Sequence, residues 1–251
     1  TRSAEHAERF RKLGLLPIVG DILDPASLSD LPHADTILYA VGFDRSSGRS
    51  RREIYVDGLR NVLREVAGRV GRFIYISSTS VYGQNAGESI DETSECLPTR
   101  ENGQVCLAAE QVVWEFFPRR DDSATHCANV LRLAGIYGPS RLLRREAELK
   151  SAAPVWGNPE AFLNLIHVDD AMAAVLACEA QGEPGETYLV SDDQPIRRRE
   201  YYNTLAKLLG APPPTFAEAA DRTGNLNKQC SNRKLRDELE LRLQYPTIAE
   251  G

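Results

Sequence analysis

The chain has 251 residues, 42% of them hydrophobic and 26% charged, enough to bury a core in one large α/β domain or in one domain with a small appendage. Its 30 Lys and Arg against 36 Asp and Glu leave a formal net charge of −6. The basic residues are scattered apart from Arg49, Arg51, Arg52 and the run Arg197-Arg198-Arg199, so no surface for a phosphate backbone, and no nucleic-acid partner, is expected. Five cysteines without CxxC or metal-ligand spacing fit a reducing compartment and argue against a disulfide framework or a metal site. No apolar run has bilayer-spanning length and no signal-peptide pattern opens the chain, so a cytoplasmic protein without a membrane partner is expected.

Thr1-Arg2-Ser3 leads into a helical pattern over residues 5–13, with no initiator Met and no strand ahead of it. Leu16-Pro17-Ile18-Val19-Gly20-Asp21 reads as a short strand, and residues 36–42 as a buried strand ending in Gly. Residues 51–67 follow as an amphipathic helix with Ile54, Leu59, Val62, Leu63 and Val66 inward, which completes one βα unit. The next strand is expected over 73–77, the next helix over 103–117, where Pro118 stops it, and a further strand over 126–133. This alternation predicts a parallel sheet covered by helices.

Beyond Pro139 the rhythm is looser. A basic helix over 141–150 and the short Val155-Trp156-Gly157 precede Leu163-Asn164-Leu165-Ile166-His167-Val168, where Asp169 is expected to cap a helix over 170–180. A strand over 187–190, a helix over 199–209 ending at Gly210, the linker Pro212-Pro213-Pro214 and a charged helix over 232–240 complete the pattern.

Five motifs stand in order at the expected strand ends. Gly20-Asp21-Ile22-Leu23-Asp24 resembles the adenine-contacting GDxxD turn of the extended short-chain dehydrogenase/reductases, the NAD-dependent epimerase/dehydratase family. Residues 54–63 resemble its NVxGTxNVL helix, Ser77 to Gly83 its SSxxVYG, Leu131 to Pro139 its LRxxxxYGP, and Ile166-His167-Val168-Asp169-Asp170 its IHVDD. The resemblance spans most of the chain, and within the family the altered catalytic motif is most similar to atypical members. It implies an α/β fold, a Rossmann-type doubly wound parallel sheet with a small discontinuous C-terminal substrate region. Residues 1–140 would form an incomplete dinucleotide-binding core returning at about 163–192, and residues 141–162 and 193–251 the substrate region.

Ligands of open α/β sheets bind across the carboxyl ends of the strands. The resemblance accordingly implies cofactor contacts from Arg2, Ser3, Asp21, Ile22, Ala40, Val41, Gly42, Ser77, Leu133, Ala134, Gly135 and Ile136. Taken singly, Gly42 is equally a strand-ending turn and Asp21 a cap; their joint register is what favours the cofactor. Arg2 falls where the family places a 2′-phosphate partner, which points to NADP in preference to NAD, with a solvated Arg as the plain alternative. Neither G-x-G-x-x-G nor G-x-x-G-x-x-G is present, and the resemblance places that loop just upstream of Thr1, so the 251 residues are expected to be a fragment truncated at the N-terminus.

In the family a Tyr, its pKa lowered by a neighbouring Lys, is the general acid/base, and a Ser or Thr hydroxyl holds the substrate oxygen. Ser78 takes the hydroxyl position with Thr79 beside it, while Asn102 and Cys106 stand where the Tyr and Lys would be. An amide does not titrate and a thiol carries no fixed positive charge. Cys106 is open to reading as a nucleophile or as a buried helical thiol packing as a small hydrophobe. Tyr82, Arg141, Asn164 and His167 are expected to face substrate, each with a structural role as the alternative, and Asp91, Glu92 or Glu95 is either a replacement acid or part of a solvated loop. The function implied is an NAD(P)-dependent oxidoreductase or epimerase acting on a small polar or carbohydrate-like molecule, with a homodimer open to it. The alternative is a catalytically inactive NAD(P)-binding regulatory or scaffold protein.

Overall fold

A computed structural model of the protein describes residues 1–119, 126–139, 141, 143–217 and 226–251. Helix α1 (Ala4–Lys12) is opened by Ser3, whose Oγ accepts the His6 N–H at 3.3 Å. Residues 16–21 form no strand: Pro17 removes a donor, and the two backbone bonds to Thr1, from its ammonium to the Ile18 carbonyl and from Gly20 N–H to its carbonyl, are too few for a ladder. Strand β1 (Ala34–Tyr39) comes next. The helix expected over 51–67 is broken in two. Glu53–Asp57 is a π-helical turn in which the Gly58 N–H reaches back five residues to the Glu53 carbonyl, and α2 (Gly58–Val66) continues from it.

Strand β2 (Val70–Ser78) lies parallel to β1, from Ala34 opposite Val70 to Tyr39 opposite Tyr75. After it come β3 (Glu88–Ile90), α3 (Glu101–Phe116), β4 (Cys127–Leu133), β5 (Gly135–Tyr137), α4 (Leu143–Lys150), β6 (Val155–Trp156), β7 (Phe162–Leu163) and β8 (Leu165–His167). Helix α5 (Val168–Gln181), β9 (Thr187–Val190), β10 (Ile196–Arg197), α6 (Arg198–Leu209), β11 (Phe216–Ala217), β12 (Lys228–Cys230) and α7 (Arg233–Glu238) follow. The central sheet runs in the order β1-β2-β4-β9, the crossovers of a doubly wound fold. Small pairs, β5 with β8, β7 with β10, β3 with β12 and β6 with β11, accompany it.

Residues 1–76, 105–130 and 183–186 form one compact unit, and residues 77–104, 131–182 and 187–251 a second. In the first, the inward face of α2 (Leu59, Val62, Leu63, Val66) packs with Phe73 and Tyr75 of β2 and with Val112 and Val113 of α3. In the second, Tyr201, Tyr202, Leu205 and Ala206 of α6 share a core with Tyr137, Leu149 and Leu165.

Helix α5 is capped differently from the expectation. His167, not Asp169, is its N-cap: the imidazole Nδ1 accepts the Asp169 N–H at 3.2 Å, and Asp169 and Asp170 sit in the first turn, where their charges complement the helix dipole. Helix α6 ends as the sequence predicts, on Gly210 in the left-handed region at φ 61°. Among the described residues no helix is long and apolar enough to cross a membrane.

Candidate functional site

In the first unit, a hollow of about 220 Å³ opens just past the carboxyl end of β1. Arg2, Asp21, Ile22, Val41 and Gly42 all line it, five of the residues that the family resemblance implies as cofactor contacts. Ile22, Val41 and Ile54 supply apolar surface. A Cβ added to Gly42 would meet nothing within 4 Å, so the space there is open. Asp21 Oδ1 accepts the Leu23 N–H at 2.9 Å, which holds the Gly20-Asp21 turn. Arg2 reaches Asp44 at 3.5 Å. The Ser46 hydroxyl and amide, and then Arg2, hold the Asp44 carboxyl below its usual range. Thr1, Gly20, Asp44, Ser47 and Ile54, none of them expected as a cofactor contact, complete the lining. Ala40 is exposed directly before Val41, and Ser3 is occupied as the α1 cap.

The remaining cofactor expectations fall in the second unit. Ser77, Leu133 and Ala134 are buried, and the Ala134 N–H donates to the Val190 carbonyl at 2.9 Å. Gly135 and Ile136 are exposed on β5, with Ile136 opposite Ile166 of β8.

The hydroxyl cluster of the second unit is built by a tight turn. Ser78 Oγ accepts the Ser80 N–H at 3.2 Å and so caps the 3-10 turn Thr79–Val81, leaving Ser78, Thr79 and Ser80 all half-buried. The first turn of α3 presses on it, because Gly103 has no Cβ; one placed there would run into the Ser80 carbonyl and the Pro98 ring. Asn102 is exposed, and its Nδ2 donates to Ser80 Oγ at 3.4 Å. Ser78 and Asn102 are thereby joined through Ser80, a residue the sequence reading passed over. Cys106 belongs to the first unit and is only 6% exposed; its neighbour there is Tyr75, whose pKa is pushed well up by burial and then by the Cys106 thiol. A thiol so enclosed packs as a small apolar group.

Two residues expected to touch substrate, Tyr82 and Asn164, and the candidate acid Glu92 each have partners within the protein. Tyr82 is fully buried; its hydroxyl accepts from Arg132 at 2.7 Å and its carbonyl from Lys228 at 2.6 Å, and burial raises its pKa. Asn164 uses both ends of its amide on backbone, donating to the Lys228 carbonyl at 3.0 Å and accepting the Cys230 N–H at 2.7 Å, which ties β12 beside β7. Glu92, a candidate replacement acid, accepts the Leu189 N–H at 2.7 Å, and burial raises its pKa. Arg141 is exposed, its N–H closing a turn to the Gly138 carbonyl at 3.2 Å.

His167 lines a second, larger cavity of about 660 Å³. Its ring meets Tyr137 edge-on at 5.2 Å and Tyr245 at 3.9 Å between centroids. Gly138, at φ 129°, makes room for it: a Cβ would lie 2.9 Å from His167 Nε2 and from Val168 Cγ1. Tyr201, Thr204, Leu205 and Leu208 face the same space, and their i, i+3, i+4, i+7 spacing was a legible signal that they share one face of α6. Tyr245 and Glu250, which no motif marks, also line the cavity. Asp192, whose charge acts on Tyr137, is 2% exposed, with neither carboxylate oxygen in a hydrogen bond of good geometry. Burial pushes its pKa up to about 7; the nearby Gln194 N–H lowers it slightly, and Asp193, Asp170 and Glu250 raise it further.

A family model described as the 3-beta hydroxysteroid dehydrogenase/isomerase family matches residues 1–218. Protein YeeZ of Escherichia coli strain K12 is 28% identical over 226 residues, which cover 90% of this chain and 77% of YeeZ. Human short-chain dehydrogenase/reductase family 42E member 1 is 30% identical over 235 residues, 80% of this chain and 58% of the human protein. DesIV, a dTDP-glucose 4,6-dehydratase from Streptomyces venezuelae solved with NAD and TYD bound, has a TM-score of 0.78 at 25% identity over 92% of this chain and 75% of that one. The sheet order, the flanking helices and this likeness establish the Rossmann-type fold. With a family match that extends from the first hollow through both units, the chain belongs to the 3-beta hydroxysteroid dehydrogenase/isomerase family, within the short-chain dehydrogenase/reductases of epimerase/dehydratase type.

Proposed function

We propose that the protein is an NAD(P)-dependent oxidoreductase or epimerase acting on a small polar or carbohydrate-like substrate. The observation that carries this reading is the hollow of the first unit, where five residues that the family resemblance assigns to the cofactor converge at a strand end. Its chemistry fits an adenosine: Ile22, Val41 and Ile54 offer apolar faces to a base, Asp21 offers a carboxylate to hydroxyl or amine donors, and open space lies at Gly42. Arg2 is the residue suited to a 2′-phosphate, and it would have to leave Asp44 to hold one. The dinucleotide, when bound, supplies the hydride donor or acceptor. Ser78 would hold a substrate oxygen through its hydroxyl hydrogen, since its lone pair already serves the Ser80 N–H.

Titration calorimetry with NADH and NADPH tests the reading. Binding of one or both is expected, and Val41→Glu, which puts a carboxylate into the hollow at an exposed position, should abolish it. Binding unchanged by Val41→Glu would rule this hollow out.

A second reading, a dinucleotide-binding protein without turnover, draws support from the non-titrating amide of Asn102 and the burial of Cys106. Cofactor bound but neither oxidised nor reduced across a panel of alcohols and carbonyls would decide for it.

A further inference from the structure

We propose that the 660 Å³ cavity of the second unit binds a small organic cation, a quaternary ammonium or alkylated amine with an apolar portion. Its size is that of a small-molecule site. Its lining joins two features that a cation selects. Tyr137, Tyr201, Tyr245 and His167 are aromatic, and ring faces attract a positive charge through their quadrupole. Glu146, Asp169 and Glu250 are acidic, and among the described residues no Lys or Arg lines the space.

Of the three acids, Glu146 is ion-paired with Lys150 at 2.6 Å, which leaves Asp169 and Glu250 to face a ligand. His167 Nδ1 accepts the Asp169 N–H at 3.2 Å, which fixes the ring in the cavity wall. An Asp169 carboxylate oxygen lies 3.6 Å from His167 Nδ1, and the Asp169 side chain is half-exposed toward solvent. Asp192, buried, acting on Tyr137 and with no hydrogen bond of good geometry to either carboxylate oxygen, adds an acidic group that a cation in the cavity would favour in its ionised form. Asp170 is different: it accepts the N–H groups of Gln244 and Tyr245 at 2.8 and 2.9 Å, and so fixes the segment that carries the Tyr245 ring. Leu205 and Leu208 give the apolar portion of a ligand its contact. Neither the dinucleotide hollow nor the hydroxyl cluster contributes a lining residue, so this inference stands apart from the proposed turnover.

Choline and its neutral isostere 3,3-dimethylbutanol, with phenyltrimethylammonium as a second cation, provide the test on the whole chain by titration calorimetry. At least one cation should bind about tenfold more tightly than the neutral isostere, the ratio expected of cation–aromatic contact. Tyr201→Leu and, separately, Asp169→Asn should each weaken cation binding severalfold and leave the weak binding of the alcohol unchanged. Asp169 is at the surface, so its variant keeps the fold if the Tyr201 variant does not. Equal affinity for cation and isostere, no binding of either cation, or cation binding untouched by Asp169→Asn in a folded protein would each overturn the proposal.

Discussion

Asp192 concentrates more chemistry than any motif residue. An ordinary Asp titrates near ~4, whereas this one is pushed up to about 7 by burial and by Asp193, Asp170 and Glu250. Its folded-state pKa is therefore raised above the unfolded value, and between those two values the folded protein binds the extra proton. Stability from this group is complete below the unfolded pKa and is lost as pH rises through the folded one, a loss of up to about 4 kcal/mol by linkage. Asp192→Asn should flatten the fall in stability between about pH 4 and about pH 7, and at about pH 8 the variant should be more stable than the natural protein. Chemical denaturation of both across that range checks it; identical pH profiles would show that Asp192 does not titrate there. At Gly138, the strained φ of 129° and the 2.9 Å approach to His167 and Val168 predict a second outcome. Gly138→Ala should cost on the order of 1–3 kcal/mol and disturb the His167 ring, visible in its proton resonances.

Individual elements owe their placement to a few polar anchors. The buried Asp170 in the first turn of α5 holds residues 244 and 245 by two charge-assisted bonds. Asp170→Ala removes both and leaves two N–H groups to find other partners, so a loss of roughly 2–4 kcal/mol is expected. Hydrogen exchange should quicken first at Gln244 and Tyr245; exchange that accelerates evenly along the chain would mean that this anchor is not local. At this scale much could be read in advance. The 3.6-residue period of Leu59, Val62, Leu63 and Val66 predicts the buried face of α2, and Gly210 predicts the end of α6. The cap of α5 was misread because an acidic residue before a helix is the commoner cap, while the extended backbone of His167 left its own ring nearer the orphan N–H groups. The strand expected over 16–21 failed because apolar content cannot supply the ladder partners that a strand requires.

For the molecule as a whole, binding to the folded state alone raises stability by mass action. NADPH or NADH present at a hundred times its Kd should contribute about 2.7 kcal/mol, which for a chain of this size is roughly 5–10 °C in Tm. Differential scanning fluorimetry reads this directly, and a transition unmoved by millimolar dinucleotide would count against the proposed cofactor.

Collinear motifs made the Rossmann-type fold legible before any coordinates, because each motif is local: a turn, a strand end or one helix face carries it within ten residues. The family resemblance that they carry also singled out Arg2, Asp21, Ile22, Val41 and Gly42, which line one hollow. What local pattern could not decide was which polar groups the fold would consume. Tyr82 is spent on Arg132 and Lys228, and Asn164 on β12, by partners more than forty residues away in sequence. Nor could it show that Tyr137, His167, Tyr201 and Tyr245 line one cavity, or that Asp192 is buried with no hydrogen bond of good geometry to its carboxylate. Periodicity records which side of an element is apolar, but hydrogen-bond satisfaction and desolvation depend on what tertiary packing brings against it, and only the folded chain determines that.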